Sequence, residues 1–164
     1  PLVPGGIIDK LYKKKSNGSL LYRIPSRPEQ IFRSATHHPL LRHPIKENLA
    51  VLSHLPKEKH TLYLISSRFG FLRKRTEDLV KKYDFNHFFD GLYCNYENKQ
   101  PHLFKNEIIK SLNLDMYIDD DFQLLKYVAK ENKKTKFYWL TKKKKQTLTK
   151  NIFSINSLTD IFSQ

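Results

Sequence analysis

Between residues 46 and 141, short apolar runs rich in β-branched and aromatic residues alternate with amphipathic stretches of helical period. This alternation constrains the fold more than any other feature. Strands and helices in turn mean βαβ units, right-handed crossovers and a mostly parallel sheet. Strands are expected at residues 60–65, 88–94 (with a turn inside), 116–118 and 136–141. Helices are expected at 46–55, 72–83, 103–112 and 122–130, where leucines and isoleucines recur every three or four positions. Residues 142–145 read as a charged loop, 152–155 as a last strand and 158–162 as a terminal helical turn. The expected class is α/β, a three-layer Rossmann-like sheet with helices on both faces, over residues 45–164.

Residues 1–44 do not share this regularity. They hold six of the eight prolines, and one short helix is expected there, at 27–35, with Pro28 in its first turn. The 164 residues suit one domain with a small N-terminal segment. A hydrophobic share of 39% and an aromatic share of 13% exclude a disordered chain. No apolar run approaches the ~18 residues of a membrane span, so no membrane association is expected. The opening residues, Pro1 to Gly6, show no basic leader ahead of an apolar run. The single cysteine, Cys94, excludes an internal disulfide and fits a reducing, cytoplasmic compartment.

The 30 Lys and Arg against 16 Asp and Glu give a net charge of +14. A polyanionic partner such as nucleic acid would explain that balance. So would composition alone: the basic residues are mostly Lys, and Asn, Ile, Phe and Tyr, whose codons are also AT-rich, are abundant. A small anionic substrate is compatible with both.

Ligands of parallel α/β sheets bind at the carboxyl ends of the strands. Ser66, Ser67 and Arg68 follow the first strong strand. Asp119, Asp120 and Asp121 follow the third, and Lys105 stands 14 positions before Asp119 near a helix start. Adjacent carboxylates repel unless a cation or proton neutralises them. Oxygen ligands on a tight turn suit Mg²⁺, which takes one or two carboxylates, several waters and a phosphate oxygen. A hydroxyl can hold a phosphoryl oxygen, and a lysine can neutralise charge on a transferring phosphoryl group. Each feature has a plain structural reading too: a capping turn at Ser66, a helix cap at the aspartates and a solvated Lys105. Their order and spacing together are more specific than any one. No glycine-rich phosphate loop is present.

The run from Leu62 to Arg68 (LYLISSR), then Lys105, then the run from Tyr117 to Asp121 (YIDDD) resembles the haloacid dehalogenase (HAD) superfamily of phosphohydrolases, in its small nucleotidase-like branch. The resemblance spans about residues 44–162. It implies a Mg²⁺-dependent phosphate monoesterase working through an aspartyl-phosphate on a small phosphorylated substrate, nucleotides included. It assigns Ser66 to the phosphoryl oxygen, Lys105 to the nucleophile and phosphoryl group, and Asp119 and Asp120 to Mg²⁺. Ser67, Arg68 and Arg42 become substrate contacts, and residues 1–44 a basic cap or insertion.

The family's first motif, Asp-x-Asp, supplies the nucleophile and the general acid–base. It does not occur ahead of Ser66, where the only aspartate, Asp9, is followed two residues later by Leu11. The expectation is that the first strand and its motif precede Pro1, so that the core at 45–164 lacks that strand. In the family, that strand lies between the second-motif and fourth-motif strands. The alternative is a catalytically inactive HAD-like module that binds a phosphorylated or polyanionic partner. Arg33, His37, His38, Arg42 and His43 form a basic cluster open to three readings: metal, substrate phosphate or solvated loop. Tyr12, Tyr22 and Phe32 are either base-stacking groups or ordinary packing, and the two lysine runs either nucleic-acid contacts or solvated loops.

Overall fold

The computed structural model describes residues 13–16, 19–55, 59–142 and 147–162. Asp9, Tyr12 and most of the second lysine run lie outside the described residues. The N-terminal segment is more regular than expected. Strands β1 (Lys13–Ser16) and β2 (Ser19–Tyr22) form an antiparallel hairpin. Helix α1 (Arg27–Thr36) follows, as expected. Its first turn closes because the Glu29 carboxylate accepts from the Ser26 N–H at 2.7 Å and the Ser26 hydroxyl at 2.8 Å. Arg23 pairs with the same carboxylate at 2.5 Å.

Helix α2 (Lys46–His54) leads to β3 (Tyr63–Ser66), which pairs in parallel with β4 (Gly91–Cys94). Between them lie a 3-10 turn (Gly70–Leu72), α3 (Arg73–Lys82) and the one-turn α4 (Phe85–Phe88). The strand expected over 88–94 is therefore shorter. Asp84 takes a left-handed φ of 47°, α4 turns the chain, and Phe85 goes into the core. Asp90 then extends the pairing sideways, its N–H donating to the Leu62 C=O at 2.8 Å and its carboxylate accepting from the Leu62 N–H at 2.7 Å.

Helix α5 (Pro101–Leu112), β5 (Met116–Asp119), α6 (Phe122–Glu131), β6 (Lys136–Leu140), β7 (Thr147–Thr149), β8 (Ile152–Ile155) and α7 (Thr159–Phe162) complete the chain. β5, β6 and β8 run parallel in that order, and β7, which the sequence pattern did not announce, adds antiparallel to β8. The sheet is thus in two parallel pieces rather than one. β3 has its ladder on β4 and β5 has its ladder on β6, and among the described residues none joins β3 to β5. A parallel sheet is continuous only where each strand finds a neighbour, and no described segment pairs with both.

The core is centred on the second piece. Leu124, Leu125, Val128 and Ala129 bury one stripe of α6 against Ile109, Tyr117, Phe137 and Ile152. Pro101, Lys105 and Ile109, one turn apart, share the buried side of α5. The N-terminal segment is tied to α3: Arg75 donates to the Ser34 C=O at 3.0 Å, and Lys82 to the Pro39 C=O at 3.1 Å. No helix among the described residues is long and apolar enough to cross a membrane.

Candidate functional site

The carboxyl ends of β3 and β5 open into one cleft of about 270 Å³. β3 delivers Ser67 and Arg68 to it, α5 delivers Lys105, and the turn between β5 and α6 delivers Asp119, Asp120 and Asp121. The end of α1 adds Arg33 and His37, and the end of the hairpin adds Tyr22 and Arg23. A smaller cavity of about 50 Å³, at the amino end of β3 near Leu62, lies away from these groups.

Asp119 is the centre of the arrangement. Along β5 the side chains alternate, so Tyr117 and Asp119 share the buried face. The Asp119 Oδ2 accepts from Lys105 Nζ at 2.5 Å and from the Tyr117 hydroxyl at 2.8 Å. Its Oδ1 accepts from the Asp121 N–H at 2.8 Å. Burial works against the Asp119 charge, but Lys105 and these donors outweigh it and hold the carboxyl below the usual range. Burial, with Asp119 beside it, pushes the Tyr117 phenol well up, so it stays a neutral donor. Both Lys105 and Asp119 are buried, which makes this pair stronger than a surface ion pair and costly to break.

The other two acids have different duties. Burial and the Asp119 charge raise the Asp120 carboxyl, so this group meets negative charge that nothing nearby fully balances. Asp121 caps α6: its Oδ1 accepts from the Gln123 and Leu124 N–H groups at 3.1 and 3.2 Å. Its Oδ2 accepts from the Tyr22 hydroxyl at 2.7 Å, which ties the hairpin to the acidic turn.

A carboxylate offers about four acceptor positions, and Asp119 uses three. One position on its Oδ1 and the Asp120 carboxylate are the oxygens here that could hold a hydrated cation. Among the described residues, no group of three or more His, Cys, Asp or Glu side chains is placed to hold a metal.

Of the residues singled out from the sequence, Ser67, Arg68, Lys105, Asp119 and Asp120 converge on the cleft. Ser66 is not among its lining residues. It is the last residue of the ladder, opposite Cys94, and its C=O accepts the Asn95 N–H at 3.0 Å. Arg42 is exposed and outside the lining, yet close enough to repel His37 and Arg68. The sequence reading missed Tyr117 and the bond from Tyr22 to Asp121. Period-2 alternation in β5 pointed to the first; nothing local signals the second. No protein-family profile matches this chain, and no curated protein matches it.

Proposed function

We propose that this chain is a HAD-like phosphohydrolase domain, cytoplasmic, hydrolysing a small phosphate monoester, nucleotides included, with Mg²⁺ as cofactor. Its two parallel pieces are read as parts of one three-layer Rossmann-like sheet. The observation that carries the reading is the buried Lys105–Asp119 pair at a strand end that shares its cleft with Ser67 and Arg68.

The geometry supports the following roles. Lys105 neutralises charge on a phosphoryl group arriving beside Asp119. Asp119, ionised and held by three donors, fixes the position of Lys105 and offers one oxygen position to a cation. Asp120 is the second cation ligand. Ser67 orients the phosphoryl oxygens from the β3 side, Arg68 contacts the part of the substrate away from the reacting phosphate, and Ser66 sets that turn through its backbone. Bound Mg²⁺ would neutralise charge on the phosphoryl oxygens. The nucleophilic aspartate has no counterpart among the described residues, since the three cleft carboxylates sit on one turn and are committed to cation, cap and Lys105.

That last point supports a second reading, an inactive HAD-like module that binds a phosphorylated or polyanionic partner such as nucleic acid. The separating experiment is hydrolysis of p-nitrophenyl phosphate with and without Mg²⁺, by this chain and by any in-frame upstream extension of its gene. Mg²⁺-dependent turnover that Asp119→Asn reduces at least 100-fold supports the enzyme. Absence of turnover in both, with salt-sensitive RNA binding, supports the module.

A further inference from the structure

We infer that the cleft takes a small molecule carrying two phosphate groups, one at the Lys105–Asp119 end and the second at Arg68. This rests on the phosphohydrolase reading and names its substrate class.

The cleft has two electrostatic halves. Asp119, Asp120 and Asp121 form one wall, and Lys105 already answers Asp119 there. The other half is basic. Arg68 leaves β3 directly after Ser67 and is largely withdrawn from solvent, and among the described residues no carboxylate pairs with it. Its charged neighbour is Arg42, a like charge that, added to burial, holds the guanidinium below its ordinary basicity. Arg33 and His37 enter the same half from the end of α1. A partly buried guanidinium near a like charge and without a carboxylate partner is unfavourable for the empty protein. It becomes favourable when an anion fills the space between.

The chemistry of that anion follows from the cations. A guanidinium presents a planar fork that matches phosphate oxygens bidentately. Arg68 brings that fork into the cleft with no carboxylate beside it among the described residues, and Arg42 adds positive charge from outside the lining, so a dianionic phosphate suits the place better than a single carboxylate. The size follows from the cavity. At about 270 Å³ it falls just short of the ~300–1,000 Å³ of ordinary small-molecule clefts, which sets the spacer between the phosphates at sugar or polyol size rather than polymer.

The test is calorimetry at fixed ionic strength with MgCl₂, using inorganic phosphate, fructose 6-phosphate and fructose 1,6-bisphosphate as probes. The expected result is that the bisphosphate binds at least tenfold tighter than the monophosphate. Arg68→Met removes that advantage, Arg68→Lys removes part of it, and both leave inorganic phosphate binding within about twofold. Lys134→Met, at the amino end of β6, changes nothing, which separates the cleft from the net charge of +14. The Arg68→Met protein keeps or raises its urea midpoint, because the substitution removes a charge that lacks an acidic partner. Equal affinity for the two sugar phosphates overturns the inference and leaves the phosphohydrolase reading standing. So does equal loss of all three probes in Arg68→Lys. Binding of 3-phosphoglycerate as tightly as the bisphosphate assigns a carboxylate and overturns the second phosphate. Failure of every probe to bind overturns the hydrolase reading and this inference with it.

Discussion

The side-chain amide of Gln100 holds the backbone of Tyr22 on both sides. Its Oε1 accepts from the Tyr22 N–H at 2.8 Å, and its Nε2 donates to the Tyr22 C=O at 3.1 Å. The amide thus does what a neighbouring strand would do at the end of β2. The Tyr22 ring stacks on His102 at 5.9 Å and its hydroxyl reaches Asp121, so one residue joins hairpin, α5 and acidic turn. Gln100→Ala leaves two backbone groups without their partner. The expected loss is about 1–3 kcal/mol, since partly buried groups regain some water. Urea denaturation gives the stability, and hydrogen exchange at the Tyr22 amide gives the local effect. An unchanged Tyr22 exchange rate would show that the amide does not hold the hairpin.

Lys105 and Asp119 behave as one unit. Lys105→Met strands a buried carboxylate, and Asp119→Asn strands a buried ammonium. Each is expected to cost about 3–5 kcal/mol, the range for breaking a buried pair. The double variant costs less than the sum, because the second substitution removes a charge the first left alone. The pH sign follows from Asp119. Its carboxyl is held below the usual range in the folded chain, so the stability it contributes is full above that range and is lost as pH falls through its folded value. Lys105→Met flattens this acid limb. Strict additivity in urea midpoints would show that the two charges are not coupled.

How much of this was legible in the sequence depends on the range of the interaction. The α/β class followed from local period, and Lys105, Asp119 and the cap at Asp121 followed from spacing along one βαβ unit. α6 and its stripe from Leu124 to Ala129 are fully local in origin. The hairpin at residues 13–22 was not read, because its strands are short and basic and it packs through contacts some 80 to 100 residues away, at Gln100 and Asp121. The choice of Ser67 over Ser66 for the cleft was equally hidden. A shift of one residue on a strand reverses the face, and the local pattern does not fix which residue ends the ladder. The break between β3 and β5 is a property of pairing across the sheet, on which neither strand's own sequence bears.

Gly70 is required where the chain leaves β3 for α3. A Cβ built there would stand 2.7 Å from the Tyr96 C=O, a backbone atom that cannot swing away. The Gly70 N–H also donates to Asn98 Oδ1 at 2.7 Å, so the two loops are locked together. Gly70→Ala is expected to destabilise by about 1–3 kcal/mol, the usual cost of overpacking. It is also expected to weaken phosphate binding, because the turn carrying Ser67 must shift. Differential scanning calorimetry reads the first effect and phosphate titration the second. A variant as stable as the parent would mean that the loops open without cost.

His37 should make the chain less stable in mild acid. Burial lowers its pKa from 6.5 to about 4, against the pull of the hydrogen bond from its ring to the Arg33 C=O, and Arg42, Arg68 and Arg33 push in the same direction as burial. The folded chain therefore holds this imidazole neutral while the unfolded chain protonates it. Between pH 6.5 and about 4 the unfolded state binds the extra proton, so stability falls as pH falls through that window and levels off below it. The partly solvated position reduces the full linkage, to on the order of 1–2 kcal/mol across the window. His102 is also lowered by burial and adds a slope of the same sign, so the two are separated by His37→Gln and His102→Gln in turn. Urea midpoints from pH 7.5 to 4 should show a shallower slope in each variant. The imidazole signal of His37 should titrate near pH 4 and move upward when an anion fills the basic half of the cleft. A signal titrating near 6.5 in the ligand-free chain would place the ring in open solvent and sink the account of its burial.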